Sequence, residues 1–316
     1  MLSFGKLLRT IREEKNLSRA QLAEGICSEK YLYLIEKGER MPSATILRQL
    51  SQALQTDLFR YYRFIDYEDP VAVERVINEF MRAIRTSDYK LRGQIVKEAE
   101  QLKAYKKPPW SYVLIGNRAM HNLIVKREYE AVYIELKDAI DKIKPVYEDT
   151  VFVATIYLAF SYSLQYLGQY EESYQYALLA ERIHKESIGF YYGDGLYYLA
   201  ESRATILNNL YKLEKYQKAV DYGEGLIKNL ANVGTYARLE ASLGYLAFSL
   251  YRLNRIEDAV LTLRKAMQLL MLTRNEFFLY YLLAEKDFKA IVKEFPSDDN
   301  ILKEFQLYIR PLQIVN

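Results

Sequence analysis

Hydrophobic residues recur at helical spacing along almost the whole of this chain. Residues 3–65 predict five helices, whose starts or hydrophobic positions are Phe4, Leu7, Leu8 and Ile11, then Ser18, then Ser28, then Leu47 and Leu50, and finally Leu58 to Ile65. From Asp69 onward the helical periodicity continues, and no strand alternation of any length occurs. The pattern therefore predicts an all-α protein.

The second and third predicted helices are bounded by residues typical of helix ends. Ser28 is a good N-cap for the third helix, because its hydroxyl can accept a backbone N–H of the first turn. Gly38 follows at a C-cap position, and Pro42 restarts the chain. Two short helices joined by a tight turn are the pattern of a DNA-binding helix-turn-helix. We therefore expect this part of the chain to bind nucleic acid.

A repeat becomes visible in the rest of the chain when its short polar turns are aligned. An apolar helix precedes each turn and another follows it, so each copy predicts a helix pair. The anchor residues after the turns are spaced by 40, 41, 46 and 40 residues, at Tyr89, Tyr129, Tyr170, Tyr216 and Ile256. Residues 286–290 are interpreted as a sixth, truncated copy.

The boundary between the two parts is predicted at residues 66–70. This stretch is charged, ends in Pro70 and precedes a fresh helical pattern. We expect a helix-turn-helix domain over residues 1–66 and a repeat domain for peptide binding and dimerisation over residues 67–316. The net charge of +3 divides into +4 over residues 1–65 and −1 over the remainder. The basic excess therefore lies in the part expected to contact phosphates.

Composition narrows the class of protein further. Thirty tyrosines and seven prolines favour helices that pack through aromatic side chains with a polar tip. Cys27 is the single cysteine, which excludes an internal disulfide and fits a reducing cytoplasm. Charged residues from Lys6 onward are unlike a signal peptide, and no run of 18 apolar residues predicts a membrane span.

The third helix is the expected reader of DNA bases, since its amino-terminal residues meet base edges in this motif. Glu29, Lys30 and Tyr33 are expected to face outward and contact bases, because lysine donates to guanine and glutamate accepts from cytosine. Two alternatives stay open: Glu29 only complements the helix dipole, or Tyr33 packs on a neighbouring subunit. Residues near the helix ends are expected to contact phosphates. These are Arg19, Gln21, Ser28, Lys37 and Arg40.

Residues 4–58 resemble the Xre or lambda-repressor type of helix-turn-helix. The resemblance rests on Leu-x-x-Ile-Arg at 8–12, Gln-Leu-Ala at 21–23, Ile-Glu-Lys-Gly at 35–38 and Pro-Ser at 42–43. Gly-Ile-Cys-Ser at 25–28 is similar to the PlcR/Rgg group of peptide-responsive regulators, although Ile26 stands where the wider pattern has a turn glycine. The resemblance implies a five-helix lambda-repressor-like domain with an internal ion pair between Arg12 and Glu36.

The helix pairs resemble the tetratricopeptide repeat, with helices several residues longer than its ~34-residue unit. This resemblance implies a right-handed α-solenoid, in which the first helix of each pair lines a concave surface. The inward positions form a polar and aromatic set suited to an extended peptide. They are Asn117, His121, Thr155, Tyr162, Gln165, Tyr166, Glu201, Asn208, Tyr211, Phe248, Tyr251 and Arg252. The alternatives are that individual tyrosines only pack between helices, and that His121 is a packed or hydrogen-bonded histidine.

No catalytic or metal-binding pattern occurs in the sequence. It contains no His-Glu-x-x-His, no cluster of cysteines or histidines and no phosphate-cradling glycine loop, and its two histidines are His121 and His184. Cys27 has no base partner in the sequence pattern. We therefore expect a protein that is not an enzyme and that uses no metal or other cofactor.

The two-part architecture resembles the cytoplasmic quorum-sensing receptors of Gram-positive bacteria, which include the PlcR, Rgg and PrgX groups. It implies a homodimeric transcription regulator of the cytoplasm, without membrane association, that binds operator DNA and a short signalling oligopeptide. Peptide binding would re-pack the array and change the spacing of two DNA-binding heads. Two alternatives stay open: a repressor controlled by a protein partner on the array, and an enzyme-like switch acting on phosphorylated response regulators.

Overall fold

A computed structural model describes residues 4–62, 70–187, 195–229 and 236–310 of the protein. Within these ranges the regular structure is helical and no β-strand occurs, which confirms the all-α prediction. The chain forms two compact units, residues 1–82 with 91–114 and residues 83–90 with 115–316. The domain boundary expected after residue 66 lies outside the described residues.

The first five helices have the predicted number and order. Ser18, Ser28 and Ser43 cap the second, third and fourth, because each hydroxyl accepts the backbone N–H three residues later. Gly38 ends the third helix with a φ of 78°, a left-handed conformation that glycine adopts without steric cost. These helices are α1 (Phe4–Glu14), α2 (Arg19–Ala23), α3 (Glu29–Lys37), α4 (Ala44–Ala53) and α5 (Phe59–Tyr62).

A small hydrophobic core holds these five helices together. Leu8, Leu32 and Leu47 are fully buried in it, one from each of α1, α3 and α4. Helix α1 approaches α3 so closely that a Cβ atom on Gly5 would lie 2.3 Å from the carbonyl oxygen of Ile35. Any larger residue at position 5 would therefore push these two helices apart.

The remaining helices are longer on average and follow in pairs. They are α6 (Pro70–Arg85), α7 (Tyr89–Ala99), α8 (Trp110–His121), α9 (Tyr129–Asp141), α10 (Val151–Tyr166), α11 (Tyr170–Glu186), α12 (Gly195–Lys212), α13 (Tyr216–Lys228), α14 (Leu239–Arg252), α15 (Ile256–Thr273), α16 (Glu276–Ala284), α17 (Lys286–Val292) and α18 (Asn300–Ile309). Within the larger unit, α9, α10, α11 and α12 each pack on the next in order, and α14 packs on α12, α13 and α15. No helix in the described part of the chain is both long and apolar enough to cross a membrane.

Five turns of this helical array share one backbone geometry. The residue two places before the next helix has a positive φ in each: Ser87, Arg127, Gly168, Glu214 and Asn254. The residue after it returns a backbone hydrogen bond to the end of the preceding helix, as from Gln169 N to Leu164 O at 2.9 Å. This bond spans five residues in four of the turns, and six in the turn at Arg127, where Glu128 N bonds Asn122 O after the π-helical segment Asn122–Lys126. The sixth turn differs, because Ala284, two places before α17, has no positive φ.

Candidate functional site

Helix α3 presents the face that the sequence predicts. Leu32 and Ile35 are buried, while Glu29 and Lys30 are exposed and Tyr33 keeps 36% of its surface exposed. The amino-terminal end of α3 is therefore free to meet another molecule. Lys30 has no ion-pair partner among the described residues, and the same is true of the exposed Arg40. These two cations are available for an anionic ligand.

The ring of Tyr33 lies between two cations. The guanidinium of Arg19 is 5.1 Å from its centroid, and the Lys37 ammonium is 4.9 Å from it. A hydrogen bond with Tyr33 raises the pKa of Lys37. Cations over an aromatic face are attracted by its negative potential. This arrangement gives Tyr33 a role in ordering the two cations, and its contact with a base stays a prediction.

Three residues that the sequence predicts to contact phosphates form hydrogen bonds within the protein. Arg19 donates to Glu36 at 2.7 Å. The side chain of Gln21 accepts from the backbone of Ser18, and Ser28 accepts from the backbone N–H of Tyr31. Their first role is therefore to fix helix ends and helix packing. A phosphate contact by any of these residues has to use hydrogen-bond donors that are not engaged in these bonds.

The ion pair implied by the family resemblance is present. Arg12 donates to Glu36 through Nε at 2.6 Å and through a second nitrogen at 3.2 Å, and both side chains are buried. The hydrogen bond to Glu36 raises the pKa of Arg12. A bidentate pair between α1 and α3 holds the recognition helix at a fixed angle to its neighbour.

The larger unit contains a cavity of about 310 Å³. It opens among α10, α12, α14 and α16, and the first residues of α7 and α11 also contribute. Its wall combines aromatic, amide and charged side chains. The lining residues are Tyr89, Tyr162, Gln165, Tyr166, Tyr170, Glu201, Ala204, Thr205, Asn208, Lys212, Arg238, Ala241, Tyr245, Asn275, Phe277, Phe278, Tyr281 and Glu285. We call this cavity the array pocket.

Glu201 is the centre of a polar cluster in the array pocket. It accepts from Arg238 at 2.5 Å and from the Tyr162 hydroxyl at 2.8 Å. Arg238 also donates to Ser87 at 2.9 Å. Burial works against the charge of Arg238, but Glu201, Tyr89 and Glu240 together outweigh it, so the pKa of Arg238 is raised. Burial, then the Glu201 charge, raise the pKa of Tyr162, so its phenol stays protonated.

Two amide side chains of the array pocket differ in their bonding. Gln165 donates to Asn209 at 2.8 Å, so it is held in place by the array itself. Asn208 has a buried Oδ1 without a hydrogen-bond partner in the described structure. An unsatisfied amide on a cavity wall is costly unless a ligand or water satisfies it. Across the cavity, Tyr166 and Tyr281 are joined by their hydroxyls.

Five of the twelve residues predicted for peptide binding line the array pocket. These are Tyr162, Gln165, Tyr166, Glu201 and Asn208. All five lie on α10 and α12, which are the first helices of their pairs. The predicted residues on α8 and α14 do not line the pocket, although Ala241 and Tyr245 of α14 do.

The other seven predicted residues have structural partners instead. Phe248 is fully buried in the core, where Tyr211 packs on it with ring centroids 5.4 Å apart. Thr155 packs against Gly116, and Asn117 is fully buried. The other four residues make their contacts outside the pocket. His121 bonds the Tyr89 carbonyl at 2.9 Å, Tyr211 and Arg252 both donate to Asp287, and Tyr251 packs on the core.

The sequence prediction missed several pocket residues because they lie outside the first helices of the five full repeats. Tyr89 follows the first turn, Arg238 precedes α14, and Phe277 and Tyr281 belong to the short α16. The aromatic character of Tyr89, Phe277 and Tyr281 is the one signal that the sequence carried. Nothing in the repeat register distinguishes them from tyrosines that only pack between helices.

The described residues contain no group of three or more His, Cys, Asp or Glu side chains that could hold a metal ion. Cys27 is half-buried, and burial raises the pKa of its thiol. His184 is buried against Tyr198, with which it stacks at 5.3 Å, and burial lowers its pKa to about 3. A histidine held neutral in this way fits a packing role.

Comparisons with known proteins agree with this two-part structure. Residues 8–60 match the family model of a helix-turn-helix. The structure is similar to PlcR of Bacillus thuringiensis, solved in complex with the peptide PapR7 and DNA, with a TM-score of 0.66 and 20% identity over 90% of this chain and 100% of PlcR. The chain therefore carries a helix-turn-helix DNA-binding domain on a fold shared with this regulator.

Two further structures share the fold. A putative transcriptional regulator from Listeria monocytogenes has a TM-score of 0.56 and 15% identity, over 93% of this chain and 99% of its own. The SHP pheromone receptor Rgg2 of Streptococcus dysgalactiae has a TM-score of 0.50 and 13% identity, over 93% of this chain and 100% of its own. No curated protein sequence matches the chain significantly.

Proposed function

We propose that this protein is a cytoplasmic transcription regulator that binds operator DNA as a homodimer and responds to a short signalling peptide. DNA binding is assigned to residues 1–66, and peptide binding and dimerisation to residues 67–316. The observation that carries the proposal is the array pocket, with an unsatisfied Asn208 on its aromatic wall, in a chain that begins with a helix-turn-helix.

The DNA-binding assignment depends on the exposed end of α3. Glu29 and Lys30 are accessible to base edges, where they can accept from cytosine and donate to guanine. Lys37, Arg40 and Arg19 supply positive charge beside them for phosphates. A dimer presents two such helices, so the operator is expected to contain two half-sites.

The peptide assignment depends on the chemistry of the array pocket. Aromatic rings bury apolar side chains of a ligand, and the amide of Asn208 can bond a peptide group in both senses. PlcR was solved with a peptide and DNA, which supports the same pairing of ligands here. A peptide that prefers one conformation of the array by about 1.4 kcal/mol changes DNA affinity tenfold.

The proposal is tested on the full chain with two selection experiments, one for DNA and one for peptides. Duplexes retained from a random-sequence DNA pool define a binding site, and peptides retained from a pool of random hexapeptides define a ligand. We expect a retained peptide to change the affinity for the selected duplex by about tenfold. A protein that retains no peptide, or whose DNA affinity is unchanged by a retained one, would contradict the proposal.

Matched variants separate the two sites. Asn208→Ala is expected to weaken peptide binding without unfolding the array, because the Oδ1 of Asn208 has no hydrogen-bond partner within the described structure. Asn229→Ala, at an exposed amide that bonds Gly225, is its control. Lys30→Ala is expected to weaken DNA binding alone, whereas Lys265→Ala on α15 should change neither affinity.

A further inference from the structure

The charged side chains of the array pocket cancel one another within its own wall. The lining contains two carboxylates and two cations. Glu201 pairs with Arg238, and Lys212 pairs with Glu285, each at 2.5 Å. The buried Glu240 accepts from Asn275 at 2.8 Å and is not part of the lining. No cation or carboxylate of the lining is left over to neutralise a charged ligand group.

The uncharged part of the wall is dominated by aromatic rings. Eight of the eighteen lining residues are tyrosine or phenylalanine. Burial raises the pKa of Tyr162, Tyr166 and Tyr245, so these phenols add no charge at neutral pH. A surface of this kind favours apolar and aromatic side chains.

An unpartnered amide oxygen and the cavity volume further limit which ligands the array pocket can bind. The buried Oδ1 of Asn208 lacks a partner, and a backbone N–H of a peptide can supply one. The cavity volume of about 310 Å³ is at the small end of the range for ligand pockets. It therefore accommodates a short stretch of peptide with its backbone amide, and the rest of a longer peptide lies outside.

On the basis of the proposed peptide-receptor function, we propose that the array pocket binds an uncharged, apolar segment from the interior of the peptide. Neither terminus of the peptide nor a charged side chain enters it. A terminal carboxylate would have to displace Glu285 from Lys212, or Glu201 from Arg238, and a terminal ammonium would have to displace a cation. Either exchange leaves a partly buried charge without its partner, which is unfavourable.

The first test compares two pools of random hexapeptides on the immobilised full chain. One pool has free ends, and the other is acetylated at the amino end and amidated at the carboxyl end. We expect both pools to be retained with large aliphatic or aromatic residues at central positions. Blocking both ends of a selected peptide should change its Kd by less than about threefold.

The outcomes are distinguishable. Retention that requires a free end, or that selects charged central residues, overturns this inference and leaves the peptide-receptor function standing. Retention of nothing from either pool overturns both. Retention of blocked, apolar peptides supports both.

The second test removes the ion-pair partner of one charged pocket residue at a time. Glu285→Gln leaves Lys212 without its carboxylate and is expected to improve binding of a peptide with a central acidic residue by about tenfold relative to the neutral peptide. Lys212→Met should do the same for a basic residue. Glu171→Gln removes a comparable pair on the array surface, at 2.7 Å, and should leave selectivity unchanged. Charge selectivity equal to that of the unmodified chain in both pocket variants would overturn the inference.

Discussion

The helix-turn-helix domain and the array pocket use charged side chains in opposite ways. On the domain, Arg12 and Glu36 are paired inside, and the exposed Lys30 and Arg40 have no ion-pair partner in the described part of the chain. In the array pocket, each cation has a carboxylate. A site for a polyanion needs uncompensated cations, whereas a site for an uncharged segment needs its charges paired. The partner of each site is therefore indicated by which charges remain unpaired.

The largest effect is expected from breaking the buried pair of the domain. Glu36→Ala leaves the buried Arg12 with only the half-exposed Glu13 carboxylate, 3.5 Å away, and we expect the free energy of unfolding of the domain to fall by about 3–5 kcal/mol. Arg9→Gln, which breaks an exposed pair with Glu13 on the same helix, should have no measurable effect. Denaturant unfolding followed by circular dichroism measures both. Equal losses in the two variants would show that burial does not set the strength of these pairs.

The array buries a neutral group where the domain buries a charged pair, and this makes its stability depend on pH. Burial lowers the pKa of His184 to about 3, below its ordinary value of 6.5. Between these values the unfolded chain binds a proton that the folded chain does not. The free energy of unfolding should therefore fall by about 1.4 kcal/mol for each pH unit below 6.5.

His184→Asn removes this titrating group and is the matched variant. Denaturant unfolding from pH 7 to pH 4.5 should give a shallower dependence on pH for the variant than for the unmodified chain. Equal slopes would mean that His184 is protonated in the folded protein.

Two glycines of the array differ in how closely other parts of the chain approach them. A Cβ at Gly116 would lie 2.9 Å from the backbone carbon of Thr155, so Gly116→Ala should destabilise the array by about 1–3 kcal/mol. Gly225 lies within α13 with no atom within 4 Å of such a Cβ. Gly225→Ala should stabilise the protein by about 0.4–1 kcal/mol. Thermal unfolding gives the sign of each change, and the same sign for both would contradict the packing described.

The smallest effect concerns the cations around Tyr33. Tyr33→Leu removes the ring that orders Arg19 and Lys37, and should weaken binding to selected and to mixed-sequence duplexes alike, by about two- to fivefold. Tyr33→Phe keeps the ring and should bind nearly as the unmodified chain. A change confined to the selected duplex would instead assign Tyr33 to base contact.

Most of the domain could be predicted from the sequence because its signals are local. Ser28 and Gly38 define the ends of α3 through bonds within a few residues, and the spacing of Leu32 and Ile35 defines its buried face. The repeat was visible for the same reason. Each of its turns is a short-range structure with a left-handed residue at a fixed position.

The array pocket could be predicted only in part because it depends on distant residues. Tyr162 and Glu201 were found since they lie on α10 and α12, but Arg238 and Tyr281 come from segments outside the repeat rule. Phe248 was assigned to the ligand surface although α14 is buried on every side from Glu240 to Leu250. A helix that is apolar around its whole circumference is a core helix, and that signal outweighs repeat register.

The common geometry of the five turns also determines how this array can change over generations. A segment duplicated or deleted between two equivalent turn residues, such as Gly168 and Glu214, rejoins the chain at the same backbone conformation and the same start of a helix. Insertion or deletion of residues at other points changes the helix face on which the following residues lie. The array can therefore gain or lose whole helix pairs during evolution without the need for a new junction.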